Sequence, residues 1–366
     1  MSRLLRPVLA GTALGAAVLG LAVPAQAAPG WRITHRTAAD YRELHDVTAL
    51  NATTAWAVGS RQDSIMLVER WDGRAWREMP VPAALAPEKN AVLERVVATS
   101  AKDVWAIGAA RKDGVDGLTI FGVHWDGTRW TGRTFAKNAW LNDVTTTGAP
   151  GEVWVSGGGA PCKAWSCKQW IQRFDGKTWR AVPVPNDGAY RLGARKGTGV
   201  WASADLTKHN TRESRQSLTR WTGKKWQAVA APKFSVPKAY EAIFSDIHAV
   251  GPKDVWATVS FQNSAGGGYL NKSALVHWNG KKWKQYPVKA KRLVSLAHDG
   301  KKGFWMASSS GSDLFHIADA KVSAVAVPSW GGRDGDYGDL ALIPGTRSLW
   351  AAGTLGRQGV IWKYGA

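Results

Sequence analysis

Seven polar residues precede seven tryptophans at a near-constant distance. Asp46, Arg95, Asp143, Arg191, Asp246, Ser295 and Asp339 stand 10 or 11 positions ahead of Trp56, Trp105, Trp154, Trp201, Trp256, Trp305 and Trp350. Residues at one place in a repeated unit come together when the units stack radially around an axis. A ring of carboxylates, guanidiniums and one hydroxyl allows three kinds of chemistry. Arg95 and Arg191 could each bridge neighbouring aspartates in a structural ion network, which specifies an arrangement more than it stabilises one. The less neutralised arc of Asp246, Ser295, Asp339 and Asp46 could hold a polar ligand or a cation such as calcium. Two of the aspartates could serve as the carboxyl pair of a glycosidase or lyase. Other enzyme chemistry has no signature here. The chain carries no G-x-S-x-G, H-E-x-x-H or phosphate-loop motif, and its eight histidines are scattered.

The elements that must position this ring are legible from the tryptophans. Each sits in a short apolar segment, from Ala55–Gly59 (AWAVG) through Val104–Gly108 (VWAIG) to Leu349–Gly353 (LWAAG), with successive gaps of 49, 49, 47, 55, 49 and 45 residues. A period near 50 with strand-like content marks a propeller array. A second landmark follows each apolar segment: paired aromatics around a turn, as in Trp71-Asp72-Gly73-Arg74-Ala75-Trp76 and Trp278-Asn279-Gly280-Lys281-Lys282-Trp283. Asp-Gly and Asn-Gly between apolar runs signal hairpins. The outer strand then often ends in proline, as at Met79-Pro80-Val81-Pro82, which suits a sheet edge. Each unit therefore reads as four short antiparallel strands. The sequence predicts an all-β, seven-bladed β-propeller over residues 28–366. The sixth unit lacks the hairpin aromatics, and the seventh stops at its turn near Tyr364. Gly30-Trp31-Arg32-Ile33 supplies the missing half, so the N-terminal strand is expected to pair in the last blade and close the ring.

Outside the repeat, the loops following the tryptophan strands vary most and open on the same face as the ring. They add Trp165, His209 and Tyr269 to the candidate ligand-binding residues. Trp140, Trp170 and Trp330 also fall outside repeat positions and are candidates for exposed work. The two cysteines, Cys162 and Cys167, read as a disulfide pinning one loop of an exported chain. The opposite face is expected to collect cations from the hairpin turns, among them Arg74, Arg129, Lys177, Lys224, Lys225, Lys281 and Lys282.

Residues 1–27 read as a signal peptide: Arg3 and Arg6, an apolar run from Val8 to Val23, then Ala25-Gln26-Ala27 as a small-x-small cleavage site. Without Arg3 and Arg6 the formal charge of +20 falls to +18, still strongly basic. Basic charge speaks to partners rather than fold. The expected partner is an extracellular polysaccharide, an anionic polymer or a protein, bound by a secreted monomer with no membrane insertion, rather than nucleic acid.

The pattern D-V-x-A-x-x-x-x-D-V-W-A-V-G followed by W-D-G-x-x-W resembles the repeats of secreted bacterial β-propeller proteins. The hairpin Asp175-Gly176-Lys177-Thr178-Trp179 is also similar to the Asp-box of sialidase-type propellers, though it lacks the residue between Asp and Gly. The resemblance implies a fold and a structural turn, not an active site. The functional expectation is a non-catalytic binding module, with a carbohydrate-active enzyme at the acidic mouth as the alternative.

Overall fold

The computed structural model describes residues 30–365, apart from 39–41, 63–64, 113–116, 164–165, 186–187, 206–215, 264–266, 310–312 and 327–334. The signal segment, Trp165, His209 and Trp330 lie outside the described residues. The chain is all-β, with 27 strands among the described residues. No helix there is long and apolar enough to cross a membrane.

The first unit shows why the sequence folds this way. Glu43–Asn51, Thr54–Arg61, Ile65–Trp71 and Trp76–Glu78 form an antiparallel sheet in chain order. Successive side chains on a strand point to opposite faces. Ala55, Trp56, Ala57 and Val58 are nonetheless all fully buried, so both faces of this strand are covered by other sheets. The outer hairpin turns at Gly73, whose φ of 92° suits glycine. The Asp72 carboxylate clamps the turn by accepting from the backbone N–H of Arg74 (2.8 Å) and Ala75 (2.9 Å). Asp126, Asp175 and Asn279 hold their turns in the same way.

Neighbouring units interlock through these aromatics. The hairpin pair of one unit covers the core tryptophan of the unit before it. Trp179 meets Trp105 edge-on at 5.1 Å, and Trp221 and Trp226 lie 6.0 and 6.3 Å from Trp154. Trp76 meets Trp350 at 5.2 Å, joining the first unit to the last. Inner strands also touch in succession: Glu43–Asn51 contacts Asn90–Ser100, Arg191–Arg195 contacts Tyr240–Gly251, and Gly335–Leu342 contacts Glu43–Asn51 again.

The two ends of the described chain share one sheet. Trp31–Arg36 pairs antiparallel with Gln358–Tyr364, with Trp31 opposite Tyr364 and Ile33 opposite Trp362. Trp31 and Tyr364 occupy the places that Trp76 and Trp71 hold in the first unit, and they cover Trp305 at 5.5 and 4.6 Å.

Two features depart from the sequence reading, while the sixth unit keeps its turn without the aromatics, as expected. The second and third units are not separate sheets. Trp130–Thr145 is one continuous strand that joins them into a seven-stranded sheet. No proline interrupts this segment, unlike the outer strands of other units, and the chain only bends at Asn138 (φ 50°). The sixth unit closes its hairpin with a two-residue turn, Asp319-Ala320, between Ala318 and Lys321. Trp256 of the fifth unit is therefore covered by Phe304 of the sixth at 4.8 Å instead of by hairpin tryptophans. Finally, Trp140 and Trp170 are half-buried rather than exposed. Their indoles lie over Gly158 and Gly157, where no Cβ could fit.

Candidate functional site

A β-bulge places six of the seven ring residues; Arg191 pairs without one, and the bulge before Asp143 falls at Asn142. The register between the first two strands slips by one residue at Leu44/Asp46, Leu93/Arg95, Phe244/Asp246, Leu293/Ser295 and Tyr337/Asp339. The inserted residues are His45, Glu94, Ser245, Val294 and Gly338. A bulge re-aims the side chains beside it. The strands approach closely here: a Cβ on Gly59, Gly108 or Gly353 would collide with the carbonyl oxygen of Glu43, Val92 or Asp336. That explains the glycine ending the AWAVG, VWAIG and LWAAG segments.

The ring residues come together as expected, but most of their bonds run between units. Asp46 accepts from its own neighbour Val47 N–H (2.8 Å) and from Val96 N–H of the next unit (2.7 Å). Asp143 does the same with Val144 (2.9 Å) and Leu192 (2.8 Å). Asp246 repeats it with Ile247 (2.6 Å) and Leu296 (2.7 Å). The Ser295 hydroxyl accepts from Leu340 N–H (3.0 Å) and donates to Asp339 (2.6 Å). Arg95 reaches Asp143 at 3.5 Å. Arg191, expected to bridge aspartates, instead donates to the carbonyl oxygens of Ser245 (2.7 Å), Asn142 (3.0 Å) and Tyr190 (2.9 Å). Both oxygens of three aspartates thus have backbone donors. Among the described residues, no group of three or more His, Cys, Asp or Glu is disposed to hold a metal ion.

Crowding shifts the titration of these groups. Burial, then the charge of Asp143, pushes the Asp246 carboxyl up to about 7. Burial and the adjacent Asp46 carboxyl hold Asp339 well above the usual carboxylate range, where the last unit meets the first. Burial opposes the charge of Arg95, but Asp143, Asp46 and Asp339 outweigh it and raise its pKa. Arg191 is shifted downward, by burial first.

Above the ring, a cavity of about 420 Å³ opens. Five of the six bulge residues line it, all but Asn142, together with Arg95, Arg191, Arg292 and Asp336. Asp336 is pushed up to about 6, mainly by burial. The sequence reading missed His45, Glu94, Arg292 and Asp336. A signal was present: the apolar residues Leu44 and Val47 stand three apart, which breaks strict alternation. Tyr269 reaches the same mouth, with the Arg292 guanidinium 5.6 Å from its ring centre. Cys162 and Cys167 sit directly opposite each other at the end of the third unit's hairpin.

No protein-family model matches the sequence, and no curated protein matches it. Solved structures do match. A catalytically inactive virginiamycin B lyase from Staphylococcus aureus, with quinupristin, aligns at a TM-score of 0.60 and 11% identity, over 93% of this chain and 100% of that one. The β-propeller domain of Cps50 (Swd1) from Myceliophteria thermophila aligns at 0.55 and 10% identity, over 91% and 99%. The fold is a β-propeller. YCF48 bound to D1 peptide is also similar to this propeller, at 0.55 and 12% identity, over 92% and 95%. Identities this low carry the fold and nothing finer.

Proposed function

We propose that the chain is a seven-bladed ring, exported after loss of residues 1–27, that works as a monomeric, non-catalytic binding module. Its mouth takes a carboxylate-bearing extracellular partner, a glycan or a polypeptide. The inner strands touching in succession, and the sheet shared by the two ends, support the closed ring. Cys162 and Cys167 would form the disulfide of the third blade.

One observation carries the functional reading. Three of the ring carboxylates that a glycosidase or lyase would need, Asp46, Asp143 and Asp246, are engaged by backbone N–H groups of the next blade. A general acid must be free to give its proton to a substrate. What the mouth presents instead are the guanidiniums of Arg95, Arg191 and Arg292 around a cavity, and guanidinium forks suit carboxylates. The peptide on YCF48 supports a ligand of this kind on a similar scaffold.

The test is retention on immobilised polyglutamate and on carboxylated and neutral polysaccharides, at graded salt. The proposal expects retention on the anionic supports that weakens with salt, and weaker retention of Arg292→Ala. No retention at low salt would remove the reading.

A further inference from the structure

We propose that the face away from the mouth carries a second site, a basic groove between the sixth and seventh units that takes a flexible polymer with a phosphate-bearing backbone. The groove has a volume of about 1600 Å³. That exceeds the roughly 300–1,000 Å³ of a typical small-molecule pocket and suits a stretch of polymer.

Two irregularities of the repeat create it. The sixth unit has a two-residue turn at Asp319-Ala320 without flanking aromatics, so its hairpin is shorter than those of the other units. The seventh unit has no hairpin turn, because its two outer strands come from opposite ends of the chain, at Gly30 and Gly365. Both irregularities border the groove. Its floor is closed where Gly300 packs against the Thr346 carbonyl, at a φ of 79°.

The groove is lined by four cations, Arg32, Lys301, Lys302 and Arg347, all exposed. Its inner carboxylate is already engaged. Asp299 accepts from the backbone N–H of Lys301 (2.7 Å) and Gly303 (3.0 Å), and its other oxygen lies 3.0 Å from His316 Nε2. Asp319 is the other acid in the lining, in the exposed turn. The hairpin turns of the other units carry exposed cations on the same face, including Arg74, Arg129, Lys177 and Lys281. They extend the positive field that would draw a polyanion in.

The aromatic residues of the groove decide the polymer class. Trp31 and Trp305 line it but are only 8% and 3% exposed. Single-stranded nucleic acid is held by bases stacked on open aromatic faces, and these rings are already packed against each other at 5.5 Å. What remains is charge on charge. Lysine binds phosphate as a point charge and arginine as a fork, so the repeating phosphates of a polyol- or sugar-phosphate chain fit.

The experiment uses the intact protein and end-labelled inorganic polyphosphate, read by fluorescence anisotropy across a salt series. Wild type should bind at low salt. Lys301→Glu/Lys302→Glu/Arg347→Glu should weaken binding by about tenfold or more, and flatten the slope of log affinity against log salt by about 2, as expected for three lost phosphate contacts. The charge-matched control Lys177→Glu/Lys224→Glu/Lys225→Glu lies on the same face and should lose far less. All six side chains are exposed, and circular dichroism checks that each variant is folded. Equal losses in the two triple variants would show a diffuse basic face and overturn the groove. So would absence of binding at low salt. Single-stranded DNA binding more tightly than polyphosphate would overturn the polymer class. A comparable loss in Arg292→Ala would place the polyanion at the mouth, which defeats this inference while leaving the mouth reading intact.

Discussion

At the scale of single residues, the ring carboxylates work as staples. Asp246 bonds one N–H of its own strand and one of the next unit. Asn offers one oxygen where Asp offers two, so Asp246→Asn leaves one of these buried donors without an acceptor. The expected cost is about 1–3 kcal/mol, read by urea unfolding. The pH dependence has a definite sign. With its carboxyl raised to about 7, folded Asp246 keeps a proton that the unfolded chain gives up from about pH 4 upward. The stability this contributes is complete below the unfolded value and is lost as pH rises through 7. Asp339 shifts in the same direction. Asp246→Asn should therefore show a shallower fall in stability between pH 4 and 7 than wild type; an unchanged slope would refute the raised titration of Asp246. The positions of Asp46, Asp143, Asp246, Ser295 and Asp339 were legible because they keep a fixed offset from a tryptophan. Their bonds were not, since a backbone N–H donor on another unit leaves no mark on composition. Arg191 illustrates the gap: spacing suggested aspartate partners, and the bulges of the flanking units, at Asn142 and Ser245, offer carbonyl oxygens instead.

At the scale of elements, the paired aromatics act across the boundary between units rather than within one. Trp76 is 5% exposed and packs edge-on against Trp350. Trp76→Ala should cost about 3–5 kcal/mol of stability in denaturant unfolding, because little can collapse into the space of an indole wedged between two sheets. A loss under 1 kcal/mol would mean the indole is not a structural wedge. The hairpins themselves were readable because Asp-Gly and Asn-Gly name their turn. Two features were not. The continuous strand Trp130–Thr145 merges two expected sheets, and no proline follows Trp130 to end it as prolines follow Trp76 and Trp179. The bulges at His45 and Glu94 shift one residue each, a change that only the broken alternation of apolar residues betrays. The mouth cavity was hidden with them, because the residues that line it are the inserted ones.

At the scale of the whole molecule, the two ends and the two faces divide the labour. Trp31–Arg36 completes the sheet of Gln358–Tyr364, and the crowded carboxyls of Asp46 and Asp339 lie where the last unit meets the first. The bulges raise a charged mouth on one face. The turns raise exposed cations on the other, consistent with a net charge of +20. On this account the ring carboxylates hold the molecule together, and binding is done by the guanidiniums at the mouth and the cations of the opposite face. The most direct test compares wild type with Asp246→Asn and Asp339→Asn, each at a temperature where circular dichroism shows it folded. Polysaccharide cleavage and retention on polyglutamate are measured on the same samples. The account predicts no cleavage by any of the three and equal retention per folded molecule. Cleavage by wild type that disappears in either variant would contradict it and make the ring a catalytic centre.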